Sequence, residues 1–191
     1  MGERTYMIAT PPAERQKLID CLGLIQAQES EVPSATWCGL MVPNGWFVMS
    51  TAWDDARDAA IHRQLLSCRV DAVVVGRESH VMYSESRRFL DGEERWSIRT
   101  GGDFLPRDEV VVDGDPPQAF DSIYREFQAK QTESNRERHP VDWLYEVPEQ
   151  TAKTLTGYEL EDEYSQDFPQ ELYSYYRAVR KGWLRRLLAR T

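Results

Sequence analysis

The alternation of apolar and polar positions predicts strands and helices along this chain. Residues 5–9 are typical of a short strand. The proline pair at 11–12 can open a helix, because a first helical turn needs no N–H donor there, and Leu18 and Ile25 continue it with helical spacing. We therefore predict a strand followed by a helix that ends at or just after Gly23.

Two β-hairpins are predicted from their turns. Asn44-Gly45 separates two apolar runs, and this dipeptide supplies the positive φ angles that a two-residue turn requires. Asp91-Gly92 can do the same in a longer, half-polar ribbon. With that second turn, the predicted register pairs Phe89 with Glu94, Arg87 with Trp96, Glu85 with Ile98 and Tyr83 with Thr100.

Between the two hairpins, the pattern predicts a helix and then a buried strand. Asp54 or Asp55 can cap a helix that runs through Leu66, because its side-chain oxygen can accept a free N–H of the first turn. Residues 70–75 form an apolar run of strand length. A further strand is predicted at 109–113, after the second hairpin.

Two more helices are predicted in the second half. One begins near residue 115, where an acid, two prolines and a glutamine form a helix start. Its apolar stripe is Phe120, Ile123, Tyr124 and Phe127. Residues 141–147 alternate enough to predict a strand, and Pro148 then opens a short helix that Gly157 stops.

These elements predict an α+β fold: a mostly antiparallel sheet of six or seven strands with helices packed on it. We treat residues 1–191 as a single domain. Residues 131–140 lack large apolar side chains and are predicted to be a solvated linker or a frayed helix end. Residues 170–190 are predicted to be an amphipathic C-terminal helix, with Trp183 on its apolar stripe and Arg185 opposite.

Composition narrows the class of protein. A chain with 41% hydrophobic residues, six Trp, nine Tyr and six Phe is too apolar and too aromatic to be disordered. The cysteines, Cys21, Cys38 and Cys68, are odd in number and widely spaced, which favours a reducing compartment over a disulfide framework. The first 15 residues lack an apolar core of signal-peptide length, and no apolar run reaches membrane-spanning length, so we expect neither export by a signal peptide nor a membrane span. We expect a cytoplasmic location.

Charge is divided unevenly along the chain. The net charge is −9, yet residues 170–191 carry six basic residues against one acid. The remainder is therefore at −14. Such a body repels nucleic acid and anionic lipid and attracts basic proteins. We expect no nucleic-acid partner and a basic protein partner.

No catalytic or cofactor signature is present. His62, His80 and His139 are far apart in sequence, without the spacings of a zinc site. Neither a phosphate-binding glycine loop nor a nucleophile elbow occurs. We assign no catalytic residue, no metal site and no cofactor.

One polar cluster tests that assignment. His80 and Ser84 would share a face of a strand, and together they could in principle perform acyl transfer. Residues four apart on a strand are, however, separated by about 13 Å, too far for a hydrogen bond. We interpret the cluster as the polar outer face of a hairpin; its members are Glu78, His80, Tyr83, Ser84, Glu85 and Arg87.

Three stretches carry a resemblance to a known group. They are residues 80–86, the Asp91-Gly92 turn with Trp96 after it, and residues 141–158 from Val-Asp-Trp to Thr-Gly-Tyr. Their order and spacing resemble a group of small uncharacterised bacterial acidic proteins, some regarded as immunity proteins of polymorphic-toxin loci. The resemblance covers roughly residues 70–160. It implies a cytoplasmic α+β protein that acts by binding, and it carries over no functional residue.

Our leading hypothesis is a non-catalytic interaction protein, such as an immunity protein that neutralises a basic toxin through an acidic surface. The candidate contacts are Tyr158, Glu159, Glu161, Asp162, Glu163, Tyr164 and Asp167. One alternative is a small enzyme whose cleft the sequence does not reveal. Another is a module that binds nucleic acid or a membrane surface through the C-terminal helix, which could also form a homodimer contact.

Overall fold

The computed structural model describes residues 4–26, 37–52, 55–102, 109–160 and 173–177. These residues form one antiparallel sheet with α-helices on both faces, which confirms the α+β class. The strands are β1 (Arg4–Thr10), β2 (Leu24–Gln26), β3 (Trp37–Met41), β4 (Phe47–Ala52), β5 (Ala72–Glu78), β6 (Tyr83–Leu90), β7 (Glu93–Thr100), β8 (Val110–Gly114) and β9 (Tyr173–Arg177). The helices are α1 (Arg15–Leu22), α2 (Asp55–Cys68), α3 (Phe120–Ser134) and α4 (Val147–Thr156).

The strands are ordered β2-β9-β3-β4-β1-β5-β6-β7-β8 across the sheet. Seven of them, β1 and β3 to β8, are strands that the sequence pattern predicts. The other two, β2 and β9, are short and pair with each other at one edge, where β9 also pairs with β3. β9 is the last described element of the chain, and it lies in the sheet between β2 and β3, which come from the N-terminal part.

Side chains of β1 alternate between two hydrophobic cores. Tyr6 and Ile8 face α1 and α2, while Met7 and Ala9 face α4 on the opposite side. Both sets are buried, as expected for a central strand. We call the two sides of the sheet the α1/α2 face and the α4 face. The α4 face extends into a third cluster, where the predicted stripe of α3 packs near Trp96 and Ile98.

The first hairpin is confirmed, with a longer turn than predicted. The amide of Val42 donates to the carbonyl of Trp46 at 2.8 Å, and the amide of Gly45 donates to the carbonyl of Val42 at 2.8 Å. Three residues therefore form the loop, with Gly45 at a φ of 90°. This arrangement joins a tight turn to a one-residue bulge, which is the next most common hairpin after the two-residue turn.

The second hairpin has the predicted turn and a different register. Asp91 and Gly92 both have positive φ, and Phe89 pairs with Glu94 as predicted. A bulge next to Phe89 then shifts the ladder by one residue, so that Arg88, not Arg87, pairs with Trp96. The same shift pairs Ser86 with Ile98 and Ser84 with Thr100.

The shift has a packing reason. It turns the side chain of Trp96 to the α4 face, where Trp96 joins the cluster beneath α3. In the predicted register Trp96 would share the α1/α2 face with Arg87. A one-residue change of register moves every following side chain to the other face, so the burial of Trp96 and Ile98 selects the bulge.

The predictions for α4 are confirmed, whereas those for the segment between α3 and α4 need correction. Residues 141–147 are not a strand: they contain a 3₁₀ turn, Trp143–Glu146, that leads into α4. Side chains of α3 accept hydrogen bonds from the backbone amides of this segment. Gln131 accepts from the Trp143 amide at 2.7 Å, and Ser134 accepts from the Val141 amide at 2.7 Å. Residues 131–134 belong to α3, which agrees with the helix-end alternative and not with a linker. The start of α4 at a proline and its end at Gly157 are confirmed.

The predicted C-terminal helix is also corrected at its start. Tyr173–Arg177 is a strand, and the rest of the predicted helix 170–190 lies outside the described residues. Tyr175 is fully buried beside Phe47, and both rings pack over Gly39, which has no side chain to obstruct them. Tyr173 and Tyr175 are two residues apart and pack against the same hydrophobic cluster, which is the period of a strand and not of a helix.

Near the N-terminus, α1 follows the predicted prolines and ends at Gly23. Ile25 does not continue it. That residue lies in β2 and is largely exposed, because Gly23 adopts the left-handed conformation that terminates a helix.

Candidate functional site

The predicted contact residues are only partly surface groups. Tyr158 is 1% exposed and packs in the core beneath α4, so its prediction as an interface anchor is wrong. Glu159 is partly exposed, and its carboxylate binds Lys153 and Gln150 of α4. The remaining candidates lie outside the described residues; they are Glu161, Asp162, Glu163, Tyr164 and Asp167.

A charged network lies on the α1/α2 face of β6 and β7. The carboxylate of Glu85 is its centre, and this side chain is 1% exposed. Its Oε2 atom accepts from the Tyr83 hydroxyl at 3.0 Å and from the Arg87 guanidinium at 2.7 and 2.9 Å. Arg87 continues to Glu94 at 3.2 Å. We call these four residues the Glu85 network.

Strand alternation and the bulge assemble this network. Tyr83, Glu85 and Arg87 are at every second position of β6 and so share a face. Glu94 pairs with Phe89 before the register shift, which places it on the same face. The cross-strand neighbour of Glu85 on β7 is Arg99, whose guanidinium binds Asp113 of β8 at 2.5 Å.

The network changes the acid–base properties of its members. Burial raises the pKa of Tyr83, and the adjacent Glu85 carboxylate raises it further. For Arg87, burial lowers the pKa, but the carboxylates of Glu85 and Glu94 outweigh burial and the net pKa is raised. Tyr83 is therefore a neutral hydrogen-bond donor, and Arg87 is a fixed cation at all physiological pH values.

A second buried ion cluster lies on the α4 face. Arg77 of β5 binds Glu149 at 2.5 Å and Glu146 at 3.0 Å, and its guanidinium lies over the ring of Tyr145. Glu149 is fully buried, and its second oxygen accepts the amide of Leu160 at 2.5 Å. The cluster therefore connects the sheet, α4 and the segment that follows α4.

Burial is the main influence on Glu149. It raises the pKa of that carboxyl from its ordinary value of 4.5 to about 6. The cation of Arg77 and the Leu160 amide oppose the shift, whereas the nearby carboxylates of Glu146 and Glu159 add to it. Such a carboxyl changes protonation just below neutral pH.

Both clusters are ion-pair networks that connect neighbouring elements of the fold. Ser84 is buried on the α4 face, opposite Glu85, and His80 is exposed in the turn before β6, so the two do not share a strand face as predicted. The interpretation of the cluster as the polar outer face of a hairpin is also wrong, because Glu78, Ser84 and Glu85 are buried. His62 packs against the rings of Tyr6 and Phe89. Across the ranges that the structure describes, no three His, Cys, Asp or Glu side chains are grouped to hold a metal ion.

Sequence reasoning missed the cluster around Arg77. The one signal for this cluster is an arginine within β5, two residues after its last valine, because a cation in a central strand needs a buried counter-charge. Its partners could not be identified from sequence, since Glu146 and Glu149 are about 70 residues away and were predicted to flank a strand end.

Comparisons with known proteins give no relative: no family model, no curated protein and no solved structure matches this chain. None of the helices in the described ranges is long and apolar enough to cross a membrane.

Proposed function

We propose that this is a non-catalytic, cytoplasmic interaction protein that binds a basic protein partner, in the manner of an immunity protein that neutralises a toxin. The contact we propose is the acidic segment, residues 161–172. This segment contains five acidic residues and no lysine or arginine; the acids are Glu161, Asp162, Glu163, Asp167 and Glu171. Tyr158 has no part in the proposed contact.

The placement of both flanks of the acidic segment carries the proposal. Before it, Leu160 is buried and its amide is held by Glu149. After it, Tyr173 and Tyr175 lie in β9, a strand inside the sheet. Fixed ends reduce the conformational freedom that the acidic segment can lose on binding, and a smaller loss favours affinity.

Charge elsewhere gives a second reason to favour this segment. The described residues contain 17 lysines and arginines against 21 acids, a net charge of 17 − 21 = −4. Many of those acids bind a cation of the same chain, among them Asp71 with Arg88 and Asp113 with Arg99. The acidic segment alone contributes −5, so it concentrates negative charge. Complementary charge speeds the encounter with a basic partner.

The test is capture and functional identification of the partner. The tagged protein is expressed in its native cells, and captured proteins are identified at low and high salt. We expect one basic protein whose expression alone arrests growth and whose effect is relieved by co-expression of this chain. Replacing Glu161, Asp162, Glu163 and Asp167 by their amides should slow association about tenfold or more at low salt.

A matched variant separates local from global charge. It neutralises exposed acids of α3 and its C-terminal end, namely Asp121, Glu126, Glu133 and Glu137, and so changes the net charge by the same amount. We expect it to retain binding. Equal losses for both variants, an acidic partner, or a partner without effect on growth would contradict the proposal.

A further inference from the structure

Two thiols meet where α1 packs against α2. Cys21 lies in the last turn of α1, and Cys68 is the last residue of α2. The Cys21 thiol donates to the carbonyl oxygen of Gln64 at 3.3 Å. In an α-helix this oxygen is also the acceptor for the amide four residues on, which here belongs to Cys68. The Cys21 sulfur is thereby placed beside Cys68.

Three further observations support a paired site. The pKa of the Cys21 thiol is raised by burial and by the Cys68 thiol, which acts on it only from close range. Both are partly buried and pack against the same hydrophobic cluster. Neither is therefore sealed from small solutes, and the packing of two helices fixes their separation.

We propose that Cys21 and Cys68 form a modification site, at which a peroxide converts the two thiols into an intramolecular disulfide that ties α1 to α2. This site shares no residue with either charged cluster or with the acidic segment. Its substrate class is a small hydroperoxide, of which hydrogen peroxide is the simplest.

The environment assigns different roles to the two sulfurs. Burial and the adjacent Cys68 thiol raise the pKa of Cys21 far above its usual range, so Cys21 stays protonated. The Cys21 proton is also engaged with the carbonyl oxygen of Gln64. We therefore assign Cys68 as the sulfur that attacks the peroxide: its electron pair forms an S–O bond, the O–O bond breaks, and hydroxide leaves. The attacking thiol's proton converts that hydroxide to water, and Cys68 becomes a sulfenic acid.

Cys21 then completes the reaction. Its sulfur attacks the Cys68 sulfur, the S–O bond breaks, and the departing hydroxide takes the Cys21 proton to form a second water. The two thiols have lost two electrons and two protons in total, and the peroxide has been reduced to two waters. The disulfide closes a loop from residue 21 to residue 68, and such a bond restricts the unfolded chain.

The third cysteine provides an internal control. Cys38 is exposed on β3, a strand that packs beneath these helices but is not part of either. In the Cys38→Ser protein, treatment of the folded chain with hydrogen peroxide should remove both remaining thiols. Peptide mass spectrometry should find residues 21 and 68 joined, and dithiothreitol should restore both thiols. Disulfide formation should be at least about tenfold faster in the folded protein than in guanidinium chloride, because the fold holds the sulfurs together.

Single replacements test the assigned roles. Without the second thiol, Cys21→Ser in the same background should accumulate a Cys68 sulfenic acid that dimedone traps. Cys68→Ser should leave Cys21 largely unreacted, and circular dichroism checks that both variants are folded. A folded protein that keeps both thiols, forms the bond no faster than the denatured chain, or yields only disulfides between chains would overturn the proposal.

Discussion

The strand pairs β3–β4 and β6–β7 belong to one sheet and have opposite compositions. β3 and β4 contain no charged residue, whereas β6 and β7 contain seven. The first pair buries Phe47, Val48 and Met49 on alternating faces. In the second pair, the buried carboxylate of Glu85 forms an ion pair with Arg87 of the same strand. We call these regions the apolar half and the charged half.

The comparison shows that one sheet can be stabilised by buried apolar side chains in one region and by buried ion pairs in another. In the apolar half, hydrocarbon side chains are buried on both faces, and stability comes from removing hydrocarbon from water, which depends little on pH. In the charged half, buried carboxylates require cations at fixed distances, because an unpaired buried charge is costly. The two halves should therefore respond differently to truncation, to loss of a charge partner and to pH.

The largest expected effect is truncation in the apolar half. Met49 is fully buried in the middle of β4, so Met49→Ala should lower the free energy of unfolding by about 4 kcal/mol. Met49→Leu is the volume-matched control and should cost less than about 1.5 kcal/mol. Urea unfolding followed by circular dichroism measures both. A loss below about 1 kcal/mol for the alanine variant would mean that the apolar half does not depend on this packing.

A smaller effect is expected for the Glu85 network. Glu85→Ala should lower the free energy of unfolding by about 3 kcal/mol, because it leaves the largely buried Arg87 with only Glu94. Combining it with Arg87→Met should cost less than the sum of the two single changes by about 1 kcal/mol or more. The same unfolding assay completes the double-mutant cycle. Additive costs would show that the pair is not coupled.

The smallest effect is a pH dependence from Glu149. Its pKa is about 6 when folded against an ordinary 4.5, so acidification from pH 7 to 4.5 adds a proton to the folded protein before the unfolded chain. This carboxyl therefore stabilises the fold below about pH 4.5, and the contribution is lost as pH rises through about 6. Its size is at most about 2 kcal/mol.

The Glu149→Gln protein isolates that contribution from other carboxyl groups. On acidification the wild type should gain stability relative to the glutamine variant, in unfolding curves recorded at several pH values. A constant difference between the two proteins, or a relative loss by the wild type, would contradict the raised pKa.

Local signals in the sequence were sufficient for most elements. The turns at Asn44-Gly45 and Asp91-Gly92, the helix stop at Gly23 and the stripe of α3 all depend on residues within a few positions of each other. Backbone preference and capping act over that distance, so they can be predicted without the fold. The sequence does not predict that Cys21 and Cys68 are neighbours, since only the packing of α1 on α2 brings them together.

Predictions failed where a distant residue decided the outcome. The 3₁₀ turn after residue 142 depends on Gln131 of α3, which accepts amides that a strand would have paired. The burial of Tyr158 depends on β1, β4 and β5, whose apolar side chains form its cluster. The acidic residues next to Tyr158 in the sequence therefore wrongly indicated an exposed side chain.

By itself, the sequence determined the α+β class, the positions of the two hairpin turns and the ends of α1 and α4. Tertiary structure decided the register of β7, the insertion of β9 beside β3 and the pairing of Arg77 with Glu149. The physical reason is range: turns and caps follow from backbone conformation over a few residues, whereas register and buried charge pairs follow from which distant side chains fill the same space.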